Sequence, residues 1–204
     1  MRSGEFNQFM ASVLDVPLPG MIVTVRSLRD AGLIEIAGRG LYARHLGLYE
    51  AGLTLLAYLA AERPGESAAR RIEGLRGLSR TPDDAELPAL RIDPGAMSLE
   101  TAILEVLAIY AAGERHPPFA AACGVARDGT RELPPCTIEV HPQDEFAVIV
   151  LAGHRYTFDR WPPRGIADAA PEAVIARIAA IEAPILARIA AGFPPPADYE
   201  EADE

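Results

Sequence analysis

Several side chains able to touch nucleic acid fall close together: Thr24, Arg26, Ser27 and Arg29, then Arg39, then Arg44 and His45. Arg can hold a guanine edge or a phosphate through two parallel N–H bonds, and Thr and Ser hydroxyls reach phosphates or base edges. Residues 24, 26, 27 and 29 fall outside the apolar stripe expected of a helix at 21–31. Arg39 stands within Gly38-Arg39-Gly40, a turn from which an Arg can enter a narrow minor groove. The same residues would also serve as a plain solvated helix face and hairpin turn, so the surrounding elements carry the decision.

Those elements have a recognisable order. Phe6, Phe9, Met10, Val13 and Leu14 recur at helical spacing. Asp15 to Gly20, with Pro17 and Pro19, reads as a turn of six residues, longer than the usual three or four. A second helix follows from Met21, with Ile22, Val25 and Leu28 inward and Gly32 closing it. Leu33–Ile36 and Leu41–Ala43 read as two short strands around the Gly-Arg-Gly turn. Helix, turn, helix, strand, turn, strand is the outline of a winged helix-turn-helix, whose second helix enters the major groove while the wing touches the backbone. Leu46–Ala61 is a further helix, with Leu46, Tyr49, Leu53, Leu56 and Ala60 in one stripe. Ser67–Leu78 is a short one, with Ile72 and Leu75 inward.

The expected fold class is α+β: a winged helix-turn-helix over residues 6–78, then a small domain of helices packed on an antiparallel β-hairpin or meander. Residues 79–97, with Pro82, Pro88, Pro94 and clustered acids, read as the linker. Residues 98–192 form the second unit. Ser98 caps a helix carrying Leu99, Ile103, Val106, Leu107 and Tyr110. Cys136–Val140, Phe146–Leu151 and His154–Phe158 read as three strands joined in an antiparallel hairpin or meander. A last helix is capped by Asp168, runs through Val174, Ile178, Ile181, Ile185 and Ile189, and is kinked at Pro184. Residues 1–5 and the acidic tail 193–204 are expected to be disordered.

Composition narrows the function classes. The chain has 204 residues, a net charge of −10, two cysteines and no lysine, so all 19 basic residues are Arg. Ten Arg face eight acids in residues 1–80 (net +2), and nine face 21 in residues 81–204 (net −12). A chain that coats nucleic acid indiscriminately is excluded, whereas a mildly basic reader joined to an acidic partner unit is not. No apolar run is long enough to span a membrane, and no basic-then-apolar leader opens the chain, so a cytoplasmic protein is expected. Cys123 and Cys136 build neither a disulfide framework nor a zinc site. No lysine means no Walker-type phosphate loop, and a lone Gly-x-Gly lacks the rest of a dinucleotide fingerprint. His141 and His154 flank one expected sheet with Cys136, Asp144 and Asp159 nearby, residue types that a metal or acid–base site uses. Strand ends carry polar residues anyway, and no catalytic residue, metal or cofactor is expected.

The stretch Val25-Arg26-Ser27-Leu28-Arg29-Asp30-Ala31-Gly32-Leu33-Ile34, then Gly38-Arg39-Gly40, then the Leu53, Leu55, Leu56, Leu59 helix, resembles small winged helix-turn-helix regulators of alphaproteobacterial prophages and gene transfer agents. The resemblance covers about residues 8–61. It implies a sequence-specific regulator of phage-derived genes that contacts double-stranded DNA through Thr24, Arg26, Ser27, Arg29 and Arg39. Arg44 and His45 join the expected interface from their place after the wing, and residues 98–192 would serve a homodimer or another partner. The alternative is an accessory factor or antiterminator that binds RNA polymerase through protein contacts.

Overall fold

Alternation of apolar and polar residues over 136–141 and 154–159, on either side of the all-apolar run 146–151, builds the centre of the fold. In a computed structural model, which describes residues 1–35, 45–61, 68–81, 89–93, 98–142, 144–160 and 179–194, β4 (Cys136–His141), β5 (Phe146–Leu151) and β6 (His154–Asp159) form an antiparallel meander. Two short strands extend it, β1 (Ser79–Arg80) beside β6 and β7 (Ala179–Glu182) beside β4, giving the order β1-β6-β5-β4-β7. The register Ile138↔Ile149↔Tyr156 fixes one face. Cys136, Ile138, Val140, Ala147, Ile149, Leu151, Tyr156 and Phe158 are buried on it. A separate hairpin pairs β2 (Gly124–Val125) with β3 (Arg131–Glu132).

Seven helices are described. Helix α1 (Ser3–Val13) packs on α2 (Leu18–Asp30). Helix α3 (Leu48–Ala60) touches α2, α4 (Ala68–Arg76), α5 (Leu99–Ala112) and strands β4 and β7. Helix α6 (Pro117–Ala122) follows a single 3₁₀ turn, Gly113–Arg115. Helix α7 (Ala183–Ala190) lies against α5 and α1. Buried residues from Phe6 to Phe193 form one continuous cluster. No helix among the described residues is long and apolar enough to cross a membrane.

Several expectations are met closely. The three central strands, the Ser98-capped helix and the Gly32 terminator (φ +73°) stand where the sequence places them. Others need correction. Residues 1–5 are not a loose start: Met1 and Leu46 exchange backbone bonds, and α1 begins at Ser3. The turn between α1 and α2 spans residues 14–17, because Pro19 sits in the first turn of α2, where a missing N–H costs nothing. The proposed linker gives strand β1 and two fully buried side chains, Leu90 and Ile92. Residues 179–182 are strand rather than helix. The open edge of β4 takes their backbone bonds, Ile181 pairs with buried Ile138, and Pro184 disfavours helix just before itself. Pro184 therefore opens α7 instead of kinking it. The tail expected to be disordered from residue 193 starts too early, because Phe193 is buried against the rings of Phe6 and Phe9; the wing turn, Trp161, the Asp168 cap and residues 195–204 lie outside the described residues.

Two local features generate predictions. The β5–β6 turn places Ala152 (φ +49°) and Gly153 (φ +84°) in left-handed conformations, as a two-residue turn of the mirror-image type requires. Ala carries a Cβ penalty there. Ala152→Asn should raise stability by about 0.5–1 kcal/mol in chemical denaturation, with an unchanged dependence on denaturant. The second feature is His116, whose Nδ1 accepts the Phe119 N–H at 3.2 Å and so caps α6. Burial holds its imidazole below the ordinary value of 6.5. The unfolded chain then takes up the proton first as pH falls, so this contribution is complete above about pH 6.5 and fades below it. Melting temperature should fall as the pH drops below about 6.5. His116→Asn, which keeps a capping acceptor without titrating, should flatten that fall.

Candidate interaction surface on helix α2

The inner stripe of α2 is Met21, Val25 and Leu28, all buried. That frame decides where the expected contact residues go. Thr24 is buried (7% exposed), and its hydroxyl donates to the Gly20 carbonyl at 3.1 Å. It was expected outside the apolar stripe, and this back-bond removes it from the surface. Arg29 is half-buried and donates from Nη2 to the Ser3 hydroxyl at 2.5 Å, tying α2 to the start of α1. Ser27 is half-buried. Only Arg26 projects fully from this group, in a 3.8 Å ion pair with Asp30 whose side chains are 80% and 69% exposed. His45 is exposed, just before α3. Arg39 and Arg44 lie outside the described residues, as does most of the expected wing, and Leu33–Glu35 form a turn rather than a strand.

The outer face holds something the sequence reading missed. Ile22 is 45% exposed and Val23 47% exposed, with Pro19 exposed one turn before and Arg26 one turn after. Ile22 was expected inward. The signal was available: Met21-Ile22-Val23 offers three consecutive apolar residues, and a one-sided helix cannot bury all three. Once Met21 and Val25 point in, the other two must point out.

Other polar groups serve the scaffold. Glu100 of α5 accepts the Tyr49 hydroxyl of α3 at 2.9 Å and the Arg76 guanidinium of α4 through both oxygens, joining three helices. Burial and this carboxylate raise the Tyr49 hydroxyl above its ordinary value. His154 lies on the inner face of the sheet, edge-on to Tyr156, while His141 lies on the outer face against Phe146, so the fold does not bring the two histidines together. Burial pushes the Cys136 thiol up to about 12, which keeps it protonated and unreactive. Among the described residues no group of three or more His, Cys, Asp and Glu side chains is placed to hold a metal. No family model, curated protein or solved structure matches this chain.

The geometry separates a structural Arg from an exposed one. Arg29→Ala should lower stability by about 1 kcal/mol through loss of the Ser3 tie, whereas Arg26→Ala should change it by less than about 0.5 kcal/mol. Equal effects of the two substitutions in urea unfolding would contradict this division.

Proposed function

We propose that this chain is a transcription accessory factor, not an enzyme, that works by docking another protein on the outer face of α2. The observation that carries the reading is the exposed Ile22–Val23 pair beside Arg26, on the helix assigned to recognition. Apolar side chains read little of a DNA groove beyond thymine methyls. An apolar pair rimmed by a guanidinium instead suits a partner patch that is apolar at its centre and acidic at its edge. Two of the candidate DNA contacts, Thr24 and Arg29, are engaged inside the protein. The resemblance to small winged-helix regulators supplies the transcription context and makes RNA polymerase the partner to try first. Sequence-specific binding of double-stranded DNA is the second reading, favoured by the net charge of +2 over residues 1–80 and by exposed Arg26 and His45.

One pair of assays tests both. The double variant Ile22→Gln, Val23→Gln changes only exposed positions and should fold normally. Capture of purified RNA polymerase by the immobilised full chain should weaken about tenfold or more in the double variant. Gel shifts on promoter DNA at about 50 mM salt should show no affinity in any variant. Capture that ignores the double variant would overturn the docking reading. DNA binding lost with Arg26→Ala would establish the second reading in its place.

A further inference from the structure

The ribbon of β2 and β3 carries the most exposed large apolar side chain among the described residues, Val125, at 75%. Residues 127–133 are exposed one after another, so the ribbon stands out from the body of the fold. Ala126 closes its turn: its N–H donates to the Thr130 carbonyl at 2.8 Å, and its carbonyl accepts the Gly129 N–H at 2.9 Å. Gly129 takes the left-handed conformation (φ +83°) that ends a three-residue turn of this kind.

That closing bond sets the direction of the backbone groups behind it. Along an antiparallel ladder, pairs that exchange hydrogen bonds alternate with pairs that do not. Ala126 bonds to Thr130, so the next pair, Val125 and Arg131, is of the second kind. The N–H and C=O of Val125 therefore point away from β3, out of one side of the ribbon, and those of Arg131 point out of the other. Outward backbone groups beside an exposed β-branched side chain are a template for another strand.

The residues of the two edges say which strand fits. About a twofold axis at Val125, an antiparallel copy of β2 sets Val125 opposite Val125 and Gly124 opposite Ala126. The two Val125 residues then exchange both backbone hydrogen bonds, and their side chains meet on one face. The flanking Gly and Ala bring no charge and little bulk. The same operation on β3 sets Arg131 opposite Arg131, which repels. Arg131 is moreover engaged by Glu114 and by the Ala120 carbonyl. The β2 edge is complementary to itself, and the β3 edge is guarded.

We propose that two copies of this chain associate through β2, joining their ribbons into one four-stranded antiparallel sheet in the order β3-β2-β2-β3. The shared ladder is short, so the dimer is weak. The contact is independent of the α2 surface.

The test is sedimentation velocity of the full chain from about 5 to about 500 µM, where a small contact should show monomer giving way to dimer. Val125→Lys sets two like charges against each other at the axis and should raise the dissociation constant about tenfold or more. Val125→Pro removes the outward N–H but none of the ribbon's own bonds, and should do the same. Val125→Thr keeps a β-branched strand residue and should dimerise like the native chain. If Val125→Pro does not fold, Val125→Lys decides. A native chain that stays monomeric throughout overturns the proposal, as does a dimer that forms equally well in the Lys and Pro variants. Monomer throughout, with a melting temperature lowered by both substitutions, assigns the edge to a segment of the same chain and equally overturns it.

Discussion

Helix α3 has almost no surface suited to water, and the rest of the fold is arranged around that fact. Ten of its residues are buried, including Glu50 and Thr54. Its polar groups are satisfied locally: Glu50 accepts the Gly47 N–H at 2.7 Å, and Thr54 donates back to the Glu50 carbonyl at 2.7 Å. A helix apolar on nearly every side must be enclosed on nearly every side. Helices α2, α4 and α5 and the β4–β7 edge do this. Gly52 permits the closest approach, for a Cβ there would stand 2.9 Å from Leu104 Cδ2 of α5. The N-terminal helices and the sheet therefore share one buried layer.

That enclosure also determines what α2 can show. Its buried stripe is used against α1 and α3, and Arg29 is drawn toward Ser3. What remains is a narrow outer strip in which two apolar side chains flank a single pair of opposite charges. The exposed Ile22–Val23 pair beside buried Thr24 is the feature on which the proposed docking face rests.

The parts of the fold legible in the sequence are those with a strong period. Cys136–Val140 and His154–Phe158 alternate on either side of an all-apolar run bounded by two turns, and Leu99 to Tyr110 keeps helical spacing after a Ser cap. The illegible parts are those in which tertiary context chose between two local options. Ala179 to Glu182 continues a helical stripe, but the unfilled β4 edge and the following proline make it a strand. Leu90 and Ile92 are lost among prolines and acids, yet they are pinned by the Tyr156 hydroxyl, whose partner is 64 residues away. The frame of α2 failed by a smaller margin. Met21, Val25 and Leu28 keep the i, i+4, i+7 spacing of one stripe, whereas Ile22 stands one residue off it, and that choice of frame decides the identity of the candidate surface.

The arginines show why composition was a poor guide to the site. A chain with no lysine must use Arg for every cationic role, and the guanidinium fork suits bracing between distant segments better than an ammonium does. Arg76 clamps α4 to α5, Arg131 reaches the Ala120 carbonyl as well as Glu114, and Arg188 reaches the Ser12 carbonyl across 176 residues of sequence. Of these only Arg76 lies in residues 1–80, where its tie uses a positive charge that a tally by sequence segment would credit to nucleic acid. What distinguishes one Arg from another here is the acceptor that the fold supplies. Arg29 is given a hydroxyl, Arg76 a carboxylate and Arg26 only a solvent-exposed aspartate. Arg80, at the β1 edge of the sheet, is given the Tyr156 ring and the Asp93 carbonyl.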